Sequence, residues 1–193
     1  MAFTLKLGDA PPDFSLPGVD GKKYRPGDFK DSKVLIVLFT CNHCPYVTGS
    51  QDRVDRLYAE YAPKGVRMIA INSNETVDHP TDAFEHMVER AKTLGLKYPY
   101  VRDDSQDVAR AYGALRTPHF YVFDAERKLR YTGRIDNSPR DATKAVTHEL
   151  RDALDDLLAG KAVRVPLTNP IGCNVKWLGQ DGHWMTADAC DLV

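Results

Sequence analysis

Residues 34–39 read Val-Leu-Ile-Val-Leu-Phe, and they run through Thr40 into Cys41-Asn42-His43-Cys44-Pro45. An apolar run without alternation suits a strand buried on both faces, hence a central strand with helices on each side. From Pro45 the period changes. Val47, Val54, Leu57, Tyr58 and Tyr61 share one helical face, and Pro63 and Gly65 stop the helix. A buried strand that hands two cysteines to the start of a helix is an arrangement suited to sulfur redox chemistry, because the unpaired N–H groups of a first helical turn favour a thiolate.

The rest of the chain alternates in the same way. Residues 1–32 are rich in Gly, Pro and Asp, with Phe14 to Leu16 as a short edge strand and Asp20-Gly21 turning it back through Lys22 to Tyr24. This N-terminal hairpin is expected to pack on the main sheet. Val66 to Ile71 reads as a second buried strand. Phe84, Met87, Val88, Ala91 and Leu94 mark a helix that stops at Gly95. Tyr98 to Val101 is a short strand, and Ser105 caps a short helix through Tyr112. After Thr117-Pro118 come strands at His119 to Phe123 and Leu129 to Thr132. A last helix carries Val146, Leu150, Ala153, Leu154, Leu157 and Leu158. Strand–helix alternation closing in a hairpin and a helix predicts an α/β fold with a mixed central sheet over residues 1–160. Residues 161–193 are irregular yet hold Trp177, Trp184, Cys173 and Cys190, so this C-terminal tail is expected to lie on the domain.

Bulk composition narrows the function. The chain has 193 residues, 42% hydrophobic and 27% charged, with a net charge of -1 and no Lys/Arg block, which gives no support to a nucleic-acid partner. No apolar run reaches the ~18 residues of a membrane span, and the first residues lack the apolar stretch of a signal peptide. A cytoplasmic protein without a membrane partner is therefore expected. Four cysteines in such a chain argue for catalysis or metal binding rather than a disulfide scaffold.

Cys41 and Cys44, two residues apart at a helix start, can bridge with modest strain, and His43 adds a positive charge beside them. Cys41 is expected to have a pKa below that of a free thiol. Two blander readings stand beside this one. The pair is buried core thiols, or it binds zinc with Cys173, Cys190 or His183. A closed zinc site needs four ligands, and the second cluster lacks a tight spacing; no metal and no cofactor is assigned.

On these residues the chain resembles the thioredoxin-like superfamily, nearest its peroxiredoxin-like branch (the alkyl hydroperoxide reductase/thiol-specific antioxidant, or redoxin, type). Gly8-Asp9-Ala10-Pro11-Pro12-Asp13-Phe14 resembles the peroxiredoxin N-terminal lobe, Val34 to Cys44 the thioredoxin strand and Cys-x-x-Cys, and Arg116-Thr117-Pro118-His119 the segment with a cis-proline facing the sulfurs. The resemblance implies a thioredoxin-like fold in which Thr117 and Pro118 present backbone to an extended substrate. It makes Arg116 a candidate for an arginine near the sulfur and Cys173 a candidate resolving cysteine. The chain departs from the pattern at Thr40, where thioredoxin has Trp, and lacks the peroxiredoxin Pro-x-x-x-Thr-x-x-Cys.

The expected function is thiol–disulfide exchange with protein or small-molecule disulfides. Cys41 attacks, Cys44 resolves, and Thr40, His43 and Arg116 modulate the pair; the thiol electron donor is not legible. The alternatives are an antioxidant thiol peroxidase acting on peroxides, and a non-catalytic zinc-binding or redox-sensing module.

Overall fold

The computed structural model describes residues 5–179. Its centre is a five-stranded sheet built from β3 (Val34–Thr40), β4 (Val66–Asn72), β5 (Tyr100–Arg102), β7 (His119–Phe123) and β8 (Leu129–Gly133), in the order β5-β4-β3-β7-β8. Strands β3, β4 and β5 run parallel, while β7 and β8 are antiparallel to their neighbours. The seven residues of β3 are all buried, as a central strand requires. Their side chains divide by the two-residue period of a strand. Val34, Ile36 and Leu38 meet α1 (Pro45–Tyr61), α2 (Phe84–Leu94) and α4 (Glu149–Leu158) on one face. Leu35, Val37 and Phe39 meet α3 (Asp107–Tyr112), Phe14, Val175 and Trp177 on the other. Each such side chain, fully buried, contributes about 1.5–3 kcal/mol.

The N-terminal hairpin forms as expected, with β1 (Leu16–Pro17) antiparallel to β2 (Lys23–Tyr24). It docks on the sheet edge, where Val19 N–H donates to the Tyr100 carbonyl at 2.9 Å. Three boundaries differ from the sequence pattern. The last helix starts at Glu149, leaving Val146 79% exposed. β5 begins at Tyr100, where the ladder opens with the Ala70 N–H donating to the Pro99 carbonyl at 2.9 Å; Pro99 itself has no N–H to extend the strand. Ser105 is not the N-cap of α3: that place falls to Gln106, left-handed at φ 62° and without a side-chain cap, while Ser105 one residue earlier accepts the Asp107 N–H at 3.2 Å.

The tail contains a strand that its composition did not suggest. Segment β9 (Cys173–Asn174) pairs antiparallel with β6 (Arg116–Thr117), in the register Thr117 to Cys173. Beyond it, Trp177 is 2% exposed against the α3 face. Trp184, His183 and Cys190 lie outside the described residues.

Candidate active site

β3 ends at Thr40 and the chain turns at once, so that Cys44 is the residue capping α1 and Pro45 its first helical residue. Proline suits that place, since it has no N–H to leave unpaired and its fixed φ matches the helix. Cys44 accepts the Val47 and Thr48 N–H groups on its carbonyl, both at 3.0 Å. Cys41 and Cys44 are buried, at 1% and 0% exposure, in one cluster with Val47.

Opposite them stands the Thr117–Pro118 bond, which is cis, as expected. Cys41 Sγ lies 3.4 Å from Thr117 Oγ1, and Cys44 Sγ lies 3.2 Å from the Thr117 carbonyl oxygen. Cys173 reaches the same place from the tail. It packs against the Cys41/Cys44/Val47 cluster, where its thiol and its backbone N–H favour charge on Cys44. The structure therefore gathers three free thiols, Cys41, Cys44 and Cys173.

The profile described as Redoxin matches residues 6–149. The chain belongs to the Redoxin family. Thiol-disulfide oxidoreductase ResA of Bacillus thuringiensis is 27% identical over 125 residues, spanning 65% of this chain and 68% of that protein. The crystal structure of an uncharacterized conserved protein from Geobacillus kaustophilus is 41% identical, with a TM-score of 0.86 over 91% of this chain and 94% of that one. The thioredoxin domain of a thiol-disulfide oxidoreductase from Bacteroides vulgatus shares the fold at a TM-score of 0.56 and 19% identity, over 65% of this chain and 86% of that one. This Redoxin-family chain has a thioredoxin-like fold and is a thiol–disulfide oxidoreductase.

Its electrostatics reverse the expected order of the two cysteines. The Cys41 thiol, the Cys173 thiol and the N–H groups of Cys173 and Val47 all favour charge on Cys44 and bring its pKa down to about 4, against the cost of burial. Cys41 is pushed up instead, by donating a hydrogen bond to Cys44, by burial and by the Asp82 charge. The Thr117 carbonyl beside Cys44 opposes a thiolate there, and only a protonated Cys44 satisfies it. Four donors outweigh one acceptor, which lowers Cys44 relative to Cys41. Cys173, facing that charge from a half-buried position, is raised to about 11 by burial and by Cys44.

Sequence reasoning missed the group behind the pair. Asp82, fully buried, receives the Asn42 N–H at 2.6 Å, Asn72 Nδ2 at 3.1 Å and Asn74 Nδ2 at 2.9 Å. His43 Nδ1 lies 2.7 Å from Asp82 Oδ2, outside hydrogen-bond alignment, and the two form an ion pair when the ring is protonated. The His43 ring stacks on His79, with centroids 5.6 Å apart, and His79 pairs with Glu75. Asn42 is thus no idle loop residue: it also accepts the Tyr100 hydroxyl at 2.9 Å. Nothing in the local sequence marks Asp82, which lies some forty residues from the cysteines on a Pro-Thr-Asp turn.

The remaining candidates fall in three ways. Thr40, closing β3 opposite Asn72, lines a small cavity with Val47 and Pro118. Arg116 is turned to the tail, donating to the Gly172 carbonyl at 3.1 Å and to Asn174 Oδ1 at 3.0 Å. The Thr117 backbone, expected to face a substrate, is paired with the chain's own Cys173. For a metal, Cys41, His43 and Asp82 bring donor atoms within 4.8 Å of one another. That set differs from the one the sequence suggested, and the Asp82 oxygens are already engaged by three side chains and a backbone N–H, which leaves a poor ligand.

Proposed function

We propose that the Cys41/Cys44 couple is the redox centre of this oxidoreductase, and that Cys44 rather than Cys41 carries the attacking thiolate. What supports this is the direction of the two acidities at the start of α1: Cys44 is lowered by the Cys41 thiol and by neighbouring donors, while Cys41 is raised. An oxidised sulfur is taken up by the Cys44 thiolate, forming a disulfide at Cys44 and releasing a thiolate. Cys41 then gives up its proton and attacks the Cys44 sulfur. The Cys41–Cys44 bond forms, the first bond breaks, and the second thiol leaves. Two electrons pass from the couple to the disulfide that began the cycle. A low-pKa Cys44 is also the better leaving group when the cycle runs in reverse.

Disulfide mapping and insulin reduction test this. Cys44→Ser should abolish turnover without trapping an adduct on Cys41, and Cys41→Ser should abolish turnover while leaving a disulfide at Cys44. An adduct accumulating on Cys41 in Cys44→Ser would restore the order first expected.

The same thiolate supports a second reading, peroxide reduction. Peroxide would convert Cys44 to a sulfenic acid, and Cys173 would condense with it, releasing water. The adjacency of Cys173 and Cys44 favours it; the engagement of Arg116 with the tail does not. Peroxide-dependent oxidation of a thiol at catalytic rate would establish it. A cytoplasmic setting goes with a working dithiol couple, and cell fractionation tests it.

A further inference from the structure

The backbone edge beside the sulfurs is already filled. β9 pairs with it, in the registers Thr117 to Cys173 and Arg116 to Asn174, and Val175 N–H continues the ladder to the Leu115 carbonyl at 3.1 Å. The chain passes so close that a Cβ on Gly172 would fall 2.0 Å from the Thr117 oxygen. Downstream the strand is tied to the body. Gln106 Nε2 donates to the Lys176 carbonyl at 2.7 Å, Gln106 Oε1 accepts the Leu178 N–H at 2.9 Å, and Lys176 N–H reaches Asn74 Oδ1 at 2.9 Å. Val175 and Trp177 are buried at 3% and 2% exposure. An extended substrate laid along Thr117 would have to displace all of this. Cys41 and Cys44 are sealed, and of the three clustered sulfurs only Cys173 belongs to a residue partly open to solvent.

We propose that Cys173 is the third thiol of the redox centre, the one that exchanges with external thiols and disulfides and passes the disulfide to Cys44. The inference rests on the Cys41/Cys44 reading above. In the reducing direction Cys173, losing its proton to solvent, attacks the Cys44 sulfur of the Cys41–Cys44 disulfide. The Cys44–Cys173 bond forms, the Cys41–Cys44 bond breaks, and Cys41 leaves as a thiolate that takes up a proton. An external thiolate then attacks the Cys173 sulfur, and Cys44 leaves as a thiolate. A second external thiolate attacks the sulfur of the first, frees Cys173, and departs in an external disulfide. Two thiols are oxidised and one protein disulfide is reduced. The substrates that fit are thiols and disulfides whose sulfur reaches Cys173 without pairing backbone with Thr117.

The test uses glutathione on the whole chain. After oxidation to the Cys41–Cys44 disulfide, Cys173→Ala and Cys173→Ser should both be reduced more slowly than the parent, on the order of tenfold. The serine variant keeps size and a donor toward Cys44, so slow reduction there reports the missing sulfur rather than lost packing. Cys44→Ser incubated with glutathione disulfide should carry glutathione on Cys173. Parental reduction rates in Cys173→Ser, or glutathione found on Cys41, would overturn the relay. If the parent chain forms no Cys41–Cys44 disulfide at all, it is the couple itself that fails, which is a separate outcome.

Discussion

Asp82 Oδ2 lies 2.7 Å from His43 Nδ1, directly beneath the turn that carries the two cysteines. The carboxylate is held ionised despite its burial, by His43, Asn74 and the Asn42 N–H. It raises His43 in turn, and it faces Cys41 with a like charge that disfavours a thiolate there. This buried charge adds to the separation in acidity that the Cys41–Cys44 hydrogen bond and burial set up, and it holds Asn42 and His43 between the two cysteines.

The first prediction concerns that ion pair. His43 is raised above 6.5 in the folded chain, chiefly by Asp82, so its contribution to stability is complete below 6.5 and is lost as pH climbs through the raised value. Asp82 is lowered below 3.8, so its contribution is present above 3.8 and is lost as pH falls through the lowered value. Proton NMR of the His43 ring should give a midpoint above 6.5 in the parent and a lower one in Asp82→Asn. Equal midpoints would dissociate the two residues.

The second concerns the thiolate. Thiolate absorbance should persist in the parent far below the ordinary thiol range, with its midpoint near the value of about 4 set at Cys44. Cys44→Ser should remove this acidic titration. Cys41→Ala, which deletes the largest favourable donor, should move the midpoint upward, while Cys41→Ser should move it less because a hydroxyl still donates. A midpoint indifferent to Cys41→Ala would place the stabilisation elsewhere.

The third concerns the tail. A Cβ at Gly172 would meet the Thr117 oxygen at 2.0 Å, so Gly172→Ala forces β9 away from β6. Overpacking of this kind costs about 1–3 kcal/mol, which corresponds to a roughly fivefold to 150-fold larger open population. Alkylation of Cys44 in native protein should accelerate in that proportion. An unchanged rate would mean that β9 does not cover the sulfur.

The framework of the fold was legible because β3 is apolar at every position, and its two-residue period alone divides it between two cores. The Cys41/Cys44 pair and the helix that starts at Pro45 were legible for the same local reason, each being written in adjacent residues, whereas the cis Thr117–Pro118 bond was implied only by the family resemblance. What was hidden is non-local. Asp82 acts on residues some forty positions away, and β9 is two residues whose strand character comes from the edge they pair with. Gln106 looks like an ordinary polar residue before a helix, yet its side chain holds the tail at both Lys176 and Leu178. The acidity of the pair was assigned to Cys41 because helix-start arguments treat both sulfurs alike; only the placement of Asp82 and of the donors on Cys44 separates them.

The last prediction concerns His119, which the strand pattern placed correctly in β7. Its ring is buried, with Tyr121 Oη 3.2 Å from Nδ1 and Thr132 Oγ1 3.1 Å from Nε2. A neutral ring meets both if the tyrosine donates and Nε2–H donates to the threonine. Burial, helped by the Arg116 charge, brings its pKa from 6.5 down to about 3. The folded pKa is depressed, so the unfolded chain takes up a proton at a pH where the folded chain does not. The stability tied to the neutral ring is present above 6.5 and drains away as pH falls toward 3. His119→Gln keeps a donor and an acceptor but cannot titrate. It should be less stable near neutrality, having lost the ring packed 4.4 Å from Tyr121, yet its urea-unfolding free energy should fall less steeply between those two pH values. Parallel pH slopes for parent and variant would show that His119 is protonated in the folded chain and that its burial is compensated by a partner charge.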